Sequence, residues 1–436
     1  MLIQEIQIIL SCFCSEKRIF EAGDFHLQLL VQNGFIQFAG IFFFAAGKSQ
    51  NNQGSKESQT GKSHRIKLKL CKSKESRDTD SKRSSSARRI VDNSSFYAVL
   101  SGVKNIWITS RAFFRYLTFQ KVINYLLLWS SFLISRLLHR PIVWGLPTTL
   151  SIEPTTSCNL RCPECPSGLR SFTRPTGMLQ EEAFERIIDQ VRGHLTWLHL
   201  YFQGEPFLNP RFLEMVTYAD SRGIFTSTST NAHYLQEKQV KALLSSGLKQ
   251  LIISVDGITQ EVYEQYRIGG TLEKVEQGIK LLVSERQKSG KTFPRIVLQF
   301  LVTGQNEHQI PALSAWVKAL DVDELQLKST QIYDFENGSE LIPSNLGHSR
   351  YVPAGNGKWR LKHRPENKCW RMWQGAVVTW DGKVVPCCFD KDASHVMGEL
   401  KSDTLDSIWN SKPYFQFRKQ LLADRNQIEI CKNCTE

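Results

Sequence analysis

Between residues 149 and 330, short β-branched runs alternate with longer amphipathic runs, and no other feature limits the fold so strongly. "TLSIEPT", "LTWLHLYF", "IFTSTSTN", "LKQLIISVDG", "RIVLQFLVT" and "VDELQLKST" read as strands. "LQEEAFERIIDQVRG", "PRFLEMVTYADSRG", "LQEKQVKALLSSG", "QEVYEQYR" with "TLEKVEQGIKLLVSERQ", and "EHQIPALSAWVKAL" read as the intervening helices. Six β/α units predict an α/β fold: a parallel sheet with helices outside, open or part of a barrel. In such barrels chemistry sits at the C-terminal ends of the strands. The stretch "SCNLRCPECPSG" follows the first strand at once, so its three cysteines belong on that face.

Those cysteines are spaced Cys158-x3-Cys162-x2-Cys165. A thioredoxin-like dithiol needs a helix opening at its Cys-x-x-Cys pair, because the helix N-terminus lowers a thiol pKa. Pro166, Ser167 and Gly168 follow directly, and no helix is expected to start there. Structural zinc needs a fourth ligand. A cubane iron–sulfur cluster suits three close thiolates better, and leaves one iron without a protein ligand. An open metal position is what catalysis requires.

A Cys-x3-Cys-x2-Cys loop after the first strand of a β/α repeat resembles the radical S-adenosylmethionine enzymes. The resemblance implies a partial (β/α)6 TIM-type barrel, with Cys158, Cys162 and Cys165 holding a 4Fe-4S cluster. It implies S-adenosylmethionine chelated to the open iron, reductive cleavage to a 5'-deoxyadenosyl radical, and hydrogen abstraction from substrate. The cofactor carries that chemistry, and the protein positions it. Gly204-Glu205-Pro206 resembles the family's GGEP motif, with Gln203 where the first glycine stands; its acid would hold the methionine ammonium. Ser229, Thr230 and Asn231 match a polar strand end, with Ala232 in place of the usual glycine. Ser254 and Asp256 would face ribose or methionine, Arg267 the methionine carboxylate, and Gln299 the adenosine. An oxidoreductase of this kind draws electrons from a donor such as flavodoxin or ferredoxin.

A second cysteine set closes the chain: Cys369, Cys387, Cys388, Cys431 and Cys434. "AVVTWDGKVVPCC" reads as a hairpin turning at Asp381-Gly382. The layout resembles the C-terminal SPASM domain of radical enzymes. A full SPASM domain has seven cysteines for two clusters; five are present here, and adjacent Cys387 and Cys388 are not expected to ligate together. One auxiliary 4Fe-4S cluster is therefore expected on Cys369, Cys387 or Cys388, Cys431 and Cys434, with a four-cysteine zinc ribbon as the rival. Trp370, Trp373, Trp380 and Trp409 are expected to pack this domain.

The N-terminal third reads differently. Thirteen Lys/Arg against four acids between Lys48 and Arg89 carry +9 of the formal +13 charge. Such a Ser/Lys/Arg-rich stretch cannot bury enough apolar surface to fold alone. No methionine occurs between Met1 and Met178, and an over-extended start is one expectation for this region. From Arg111 to His139, polar residues recur in steps of three, four and seven: Arg111, Arg115, Thr118, Lys121, Asn124, Ser131, Ser135 and His139. They form one narrow stripe on an otherwise apolar helix. That helix either lies on a membrane surface or packs on the following domain or a partner.

The expected organisation is a poorly ordered basic region (1–95), an amphipathic helix (106–140), a radical core (146–335) and a SPASM-like domain (336–436). The expected protein is cytoplasmic, with peripheral membrane attachment open. Its substrate is a peptide or protein in the leading reading, or a small, lipid-linked or sugar molecule. Two rivals come from other classes: an iron–sulfur electron carrier, and a zinc-stabilised nucleic-acid-binding protein led by the basic segment. Confinement of the charge to that segment speaks against specific nucleic-acid binding.

Overall fold

Helix α1 (Phe119–Leu138) starts at Thr118, whose hydroxyl accepts the Lys121 N–H at 3.3 Å. A β-branched hydroxyl residue in extended backbone caps a helix rather than continuing it, so a helix starts at Phe119 within the expected 106–140 stretch. It belongs to a computed structural model in which residues 113–435 are described. The expected basic region, Cys12, Cys14, Cys71 and residues 106–112 of the expected helix lie outside the described residues.

After α1 the chain runs through β1 (Thr149–Ile152), the single turn α2 (Pro166–Leu169), α3 (Glu181–Val191), β2 (Trp197–His199) and α4 (Phe212–Ser221). Next come β3 (Phe225–Thr230), α5 (Glu237–Ser245), β4 (Gln250–Ser254), α6 (Gln260–Tyr266) and α7 (Leu272–Lys288). The repeat ends with β5 (Arg295–Val302), α8 (Ile310–Leu320) and β6 (Glu324–Ser329). All six strands pair in parallel in the order β1-β2-β3-β4-β5-β6, as the alternation predicts. Leu150, Ile152, Leu198, Leu251, Ile253, Ile296 and Leu298 are wholly buried on one face of the sheet. They meet helix residues such as Phe184, Ile188, Val240, Val275 and Ile279. Each such side chain contributes about 1.5–3 kcal/mol. Strand alternation sends the intervening residues to the other face. Ser151, His199 and Ser227 stand in one register row there, and Ser254, Gln299 and Gln326 in another.

The remaining elements are the hairpin β7 (Tyr351–Gly355) with β8 (Lys358–Leu361), the turn α9 (Arg371–Gln374), β9 (Gly375–Val378), β10 (Lys383–Val385), β11 (Gly398–Glu399), α10 (Leu405–Trp409) and α11 (Lys412–Asp424). The expected hairpin is β9–β10, antiparallel, with Gly382 at φ 88° in its turn. Strand β9 then pairs in parallel with β1, so one nine-stranded sheet runs β11-β10-β9-β1 through to β6. That pairing requires glycine at 375, where a Cβ would lie 2.3 Å from Thr149 Oγ1. Sequence patterning does not reveal this continuity, because β1 and β9 are more than 200 residues apart. The parallel sheet therefore crosses the expected boundary at 335/336.

Helix α1 lies along the N-terminal ends of the strands. Lys121 Nζ donates to Gly223 O at 2.6 Å, and Asn124 exchanges two 2.8 Å hydrogen bonds with the backbone of Leu146. Just before it, Phe113 packs edgewise on Phe225 and against Trp197.

Candidate functional site

The loop after β1 carries the three thiols at the C-terminal strand ends. Contrary to the sequence expectation, a helical turn does start after Cys165: α2 opens with Pro166 at its first position. Proline suits that position because its missing N–H has no partner to lose there. Gly168 lets the turn fold back on the loop, since a Cβ would lie 2.5 Å from Cys162 N. One turn of four residues is too short for an N-terminal field of the thioredoxin type, and Cys162 is not at its mouth.

All eight cysteines among the described residues are free thiols. Cys162 is buried; Cys158 and Cys165 are half-buried. Donors ring them. Leu160 N–H points to Cys158 Sγ at 3.5 Å, Asn231 Nδ2 to the same sulfur at 3.9 Å, and Arg267 Nη1 to Cys162 Sγ at 3.7 Å. Burial pushes the Cys158 thiol up to about 11; it also raises Cys162, against the pull of Arg267. A bound metal reverses that cost, because a coordinating thiol is deprotonated outright.

The Gly204-Glu205-Pro206 segment is stitched to this loop. Glu205 N–H donates to Ser157 O at 2.8 Å, and Gly204 N–H to Ser167 Oγ at 2.9 Å. Gly204 sits at φ 73°, with Thr155 O 2.3 Å from where a Cβ would be. The Glu205 carboxylate is buried and accepts from Thr230 Oγ1 at 2.7 Å, Asn231 N at 2.8 Å and Phe207 N at 3.3 Å. Burial outweighs those bonds and pushes its pKa up to about 7. Ala232, which replaces the usual glycine, is left-handed at φ 63°, the conformation a glycine serves.

Asp256 and Arg267 stand together rather than reaching separately into space. Arg267 Nε donates to Asp256 Oδ2 at 2.5 Å, and Leu301 N–H to Asp256 Oδ1 at 2.8 Å. The Arg267 side chain is 16% exposed and that of Asp256 not at all, so Arg267 is no solvated helix-end charge. A chain of contacts thus links Cys158, Asn231 and Glu205 on one side, and Cys162, Arg267 and Asp256 on the other. Ser229, Ser254 and Gln299 are half-buried on neighbouring strands. The last two are register partners.

Sequence reasoning missed several neighbours. Gln203, read as a departure from the motif, is buried with its side-chain oxygen 3.9 Å from Cys165 Sγ. His199 and Tyr201 alternate with Leu198 and Leu200, and that period-two pattern was the available signal for a polar face opposite the helices. His199 bonds Ser227 Oγ at 2.8 Å, and burial pulls its pKa down to about 4. A buried Glu153–Arg174 pair, joined at 2.6 and 2.8 Å, also accepts Trp380 N–H and donates to Lys391 O. It ties the end of β1 to the cysteine-rich C-terminal region.

In that region Cys369, Cys387, Cys431 and Cys434 line one cavity with Arg425 and Phe417. Cys388 does not line it; Arg371 Nη1 lies 3.5 Å from its sulfur instead. Arg425 is buried and donates to Cys434 Sγ at 3.0 Å. Trp373 and Trp409 are wholly buried in this region. Trp370 instead packs edgewise on Trp129 and Phe132 of α1, and Trp380 covers Gly177 beyond the first cysteine loop. Among the described residues no three His, Cys, Asp or Glu side chains converge tightly enough for a single metal ion. Cubane thiolates each meet a different iron, so thiols grouped loosely around a polar or cavity centre suit a cluster.

Residues 152–317 match the model of the radical SAM superfamily, and residues 369–435 that of SPASM, an iron–sulfur cluster-binding domain. The chain is 29% identical over 322 residues to the tungsten-containing aldehyde ferredoxin oxidoreductase cofactor-modifying protein of Pyrococcus furiosus, covering 66% of this chain and 86% of that one. It is 29% identical over 306 residues to the PqqA peptide cyclase of Gluconobacter oxydans, covering 66% and 82%. Streptococcus suis SuiB bound to precursor peptide SuiA is 14% identical, with a TM-score of 0.49, covering 67% of this chain and 72% of SuiB.

Proposed function

Because the chain belongs to the radical SAM superfamily and carries a SPASM iron–sulfur domain, we propose that its three-thiol loop and the strand ends stitched to it form the S-adenosylmethionine site of a peptide-modifying enzyme. When bound, cluster and S-adenosylmethionine supply one-electron cleavage of a sulfonium and a 5'-deoxyadenosyl radical that takes hydrogen from substrate. Cys158, Cys162 and Cys165 would hold the cluster. Glu205 receives the methionine ammonium. Its buried carboxyl loses its proton to do so, and Asn231 N–H and Thr230 keep the anion oriented. Arg267, held by Asp256, offers its remaining N–H groups to the methionine carboxylate. Ser229, Ser254 and Gln299 line the path toward ribose and adenine. Cys369, Cys387, Cys431 and Cys434 hold one auxiliary cluster, and Cys388 stays outside it.

The observation that carries this reading is the hydrogen bond from Glu205 N–H to Ser157 O, which locks the ammonium-binding segment to the cysteine loop. A peptide substrate is supported by the name of the Gluconobacter relative, a peptide cyclase. Electrons would come from a small donor such as flavodoxin or ferredoxin, and the protein works in the cytoplasm. The test is 5'-deoxyadenosine formation by anaerobically reconstituted protein with S-adenosylmethionine and a strong reductant. Product from the wild type that vanishes in the Cys158/Cys162/Cys165→Ala variant supports the reading. A first cluster that neither binds S-adenosylmethionine nor yields product overturns it in favour of an electron carrier.

A further inference from the structure

Helix α1 is turned inside out relative to an ordinary surface helix. Its polar stripe faces the protein and is consumed there. Lys121 bonds Gly223 O, Asn124 bonds Leu146, and Ser135 Oγ exchanges 2.8 and 2.9 Å bonds with Ile142. Lys121, Ser131 and Ser135 are buried along with Leu128 and Phe132. The apolar side is left to solvent: Phe119 is 82% exposed, Leu137 78% and Leu138 58%, with Ile123, Leu127 and Leu133 exposed between them. These positions fall on one face at helical spacing. A contiguous apolar strip of this length on a folded protein marks an interaction surface.

The surrounding charge indicates what covers it. No Asp or Glu occurs between Asp92 and Glu153. Arg115 and Arg140 flank the two ends of α1, Arg136 sits in its last turn, and all three are exposed. The +9 segment between Lys48 and Arg89 lies upstream in the same chain. An apolar strip flanked by cations, on a stretch that itself carries no acid and with Glu366 beside Arg136, complements an anionic bilayer, where lipid tails take the Leu and Phe side chains and headgroups take the guanidinium groups. A second copy would instead bring arginines against arginines. Helix α1 is long and apolar enough to cross a membrane, but the hydrogen bonds that pin it along the body favour a placement on the surface.

We infer that the outer face of α1 rests on an anionic lipid surface and holds the protein there with its cysteine-bearing strand ends turned away. The orientation follows from the sheet. Contacts of the α1 segment with Gly223, Trp197 and Phe225 are at the N-terminal ends of β2 and β3, whereas Cys158, Glu205 and Asn231 follow the C-terminal ends. The site therefore opens to the aqueous side and takes a soluble substrate. This attachment is independent of the reaction proposed above.

The experiment is co-sedimentation of the full chain with vesicles of phosphatidylcholine alone and of phosphatidylcholine mixed with phosphatidylglycerol. Wild type is compared with a Phe119→Ser/Leu137→Ser variant, whose two sites are exposed and outside the cofactor site. Wild type is expected on the mixed vesicles, less so in high salt, and the variant to partition about tenfold more weakly. Both proteins are expected to form 5'-deoxyadenosine equally, with or without vesicles. Failure of the wild type to bind, whether because a second copy (seen by light scattering) or residues 1–112 cover the strip, overturns the inference. Equal binding by the variant does so too, since the basic segment would then act alone. Loss of 5'-deoxyadenosine formation on vesicle binding overturns the orientation. Absence of product in every condition would count against the proposed reaction and leave the binding result standing.

Discussion

Cys158, Cys162 and Cys165 come from one loop of eight residues, whereas Cys369, Cys387, Cys431 and Cys434 come from three segments spread over the last part of the chain. Polar partners surround the first set: Asn231, Gln203 and Arg267. The second set lines a cavity with Phe417, Leu421 and Ile430, and with the buried Arg425 and the exposed Arg371 for charge. A local loop with polar strand ends above it leaves room for a ligand. A site closed by distant segments joins them, and its metal becomes part of the folding energy. The two sites teach that thiol count matters less than where the thiols come from.

The sharpest way to break this comparison is to remove each set in turn. A Cys158/Cys162/Cys165→Ala variant is expected to lose all 5'-deoxyadenosine formation yet keep the iron of the second site, as read by iron and sulfide content. Asp256→Asn is next. It leaves the Arg267 guanidinium in a mostly buried position without its anion and is expected to cost about 3–5 kcal/mol in denaturant unfolding. It should also raise KM for S-adenosylmethionine, whereas the second site keeps its iron. For the second site, Cys431→Ala is expected to lose the auxiliary iron and lower Tm by several degrees, at roughly 2–4 °C per kcal/mol. Cys388→Ala should retain both; loss of auxiliary iron in Cys388→Ala would reverse the assignment of Cys387.

A pH series sharpens the comparison further. Burial pushes the Glu205 pKa up to about 7, and in the proposed site it would have to be ionised to meet an ammonium. Below that pH, binding costs a deprotonation. Affinity for S-adenosylmethionine is therefore expected to rise by up to about tenfold per pH unit toward 7 and then level off. Titration calorimetry on Glu205→Gln should show weaker binding without that slope. The smallest effect belongs to Ala232. Its left-handed backbone costs an L-residue about 1 kcal/mol, so Ala232→Gly is expected to raise stability by up to that amount with activity kept. A fall in stability would show that the Ala232 methyl packs more usefully than the strain it bears.

Much of the fold was legible in the order of residues. All six strands of the repeat and the Asp381-Gly382 hairpin occur where alternation and turn chemistry place them, because those signals are local. The two cysteine sets were legible as spacings. The missed pieces are long-range. The β1–β9 pairing and the Glu153–Arg174 clamp join residues that no local pattern relates. The α2 turn was missed for a local reason: proline after Cys165 was read as a breaker, though it favours the first position of a helix.

The sequence by itself determined the β/α repeat, the thiol spacings and the acid-free amphipathic stretch, since each is a property of neighbouring residues. Only the tertiary structure decided which of Cys387 and Cys388 lines the cavity, that Asp256 holds Arg267, and that the polar stripe of α1 turns inward. Periodicity shows that a helix has two faces. Which face meets the protein depends on partners such as Gly223, Leu146 and Ile142, which the folded chain brings beside the helix.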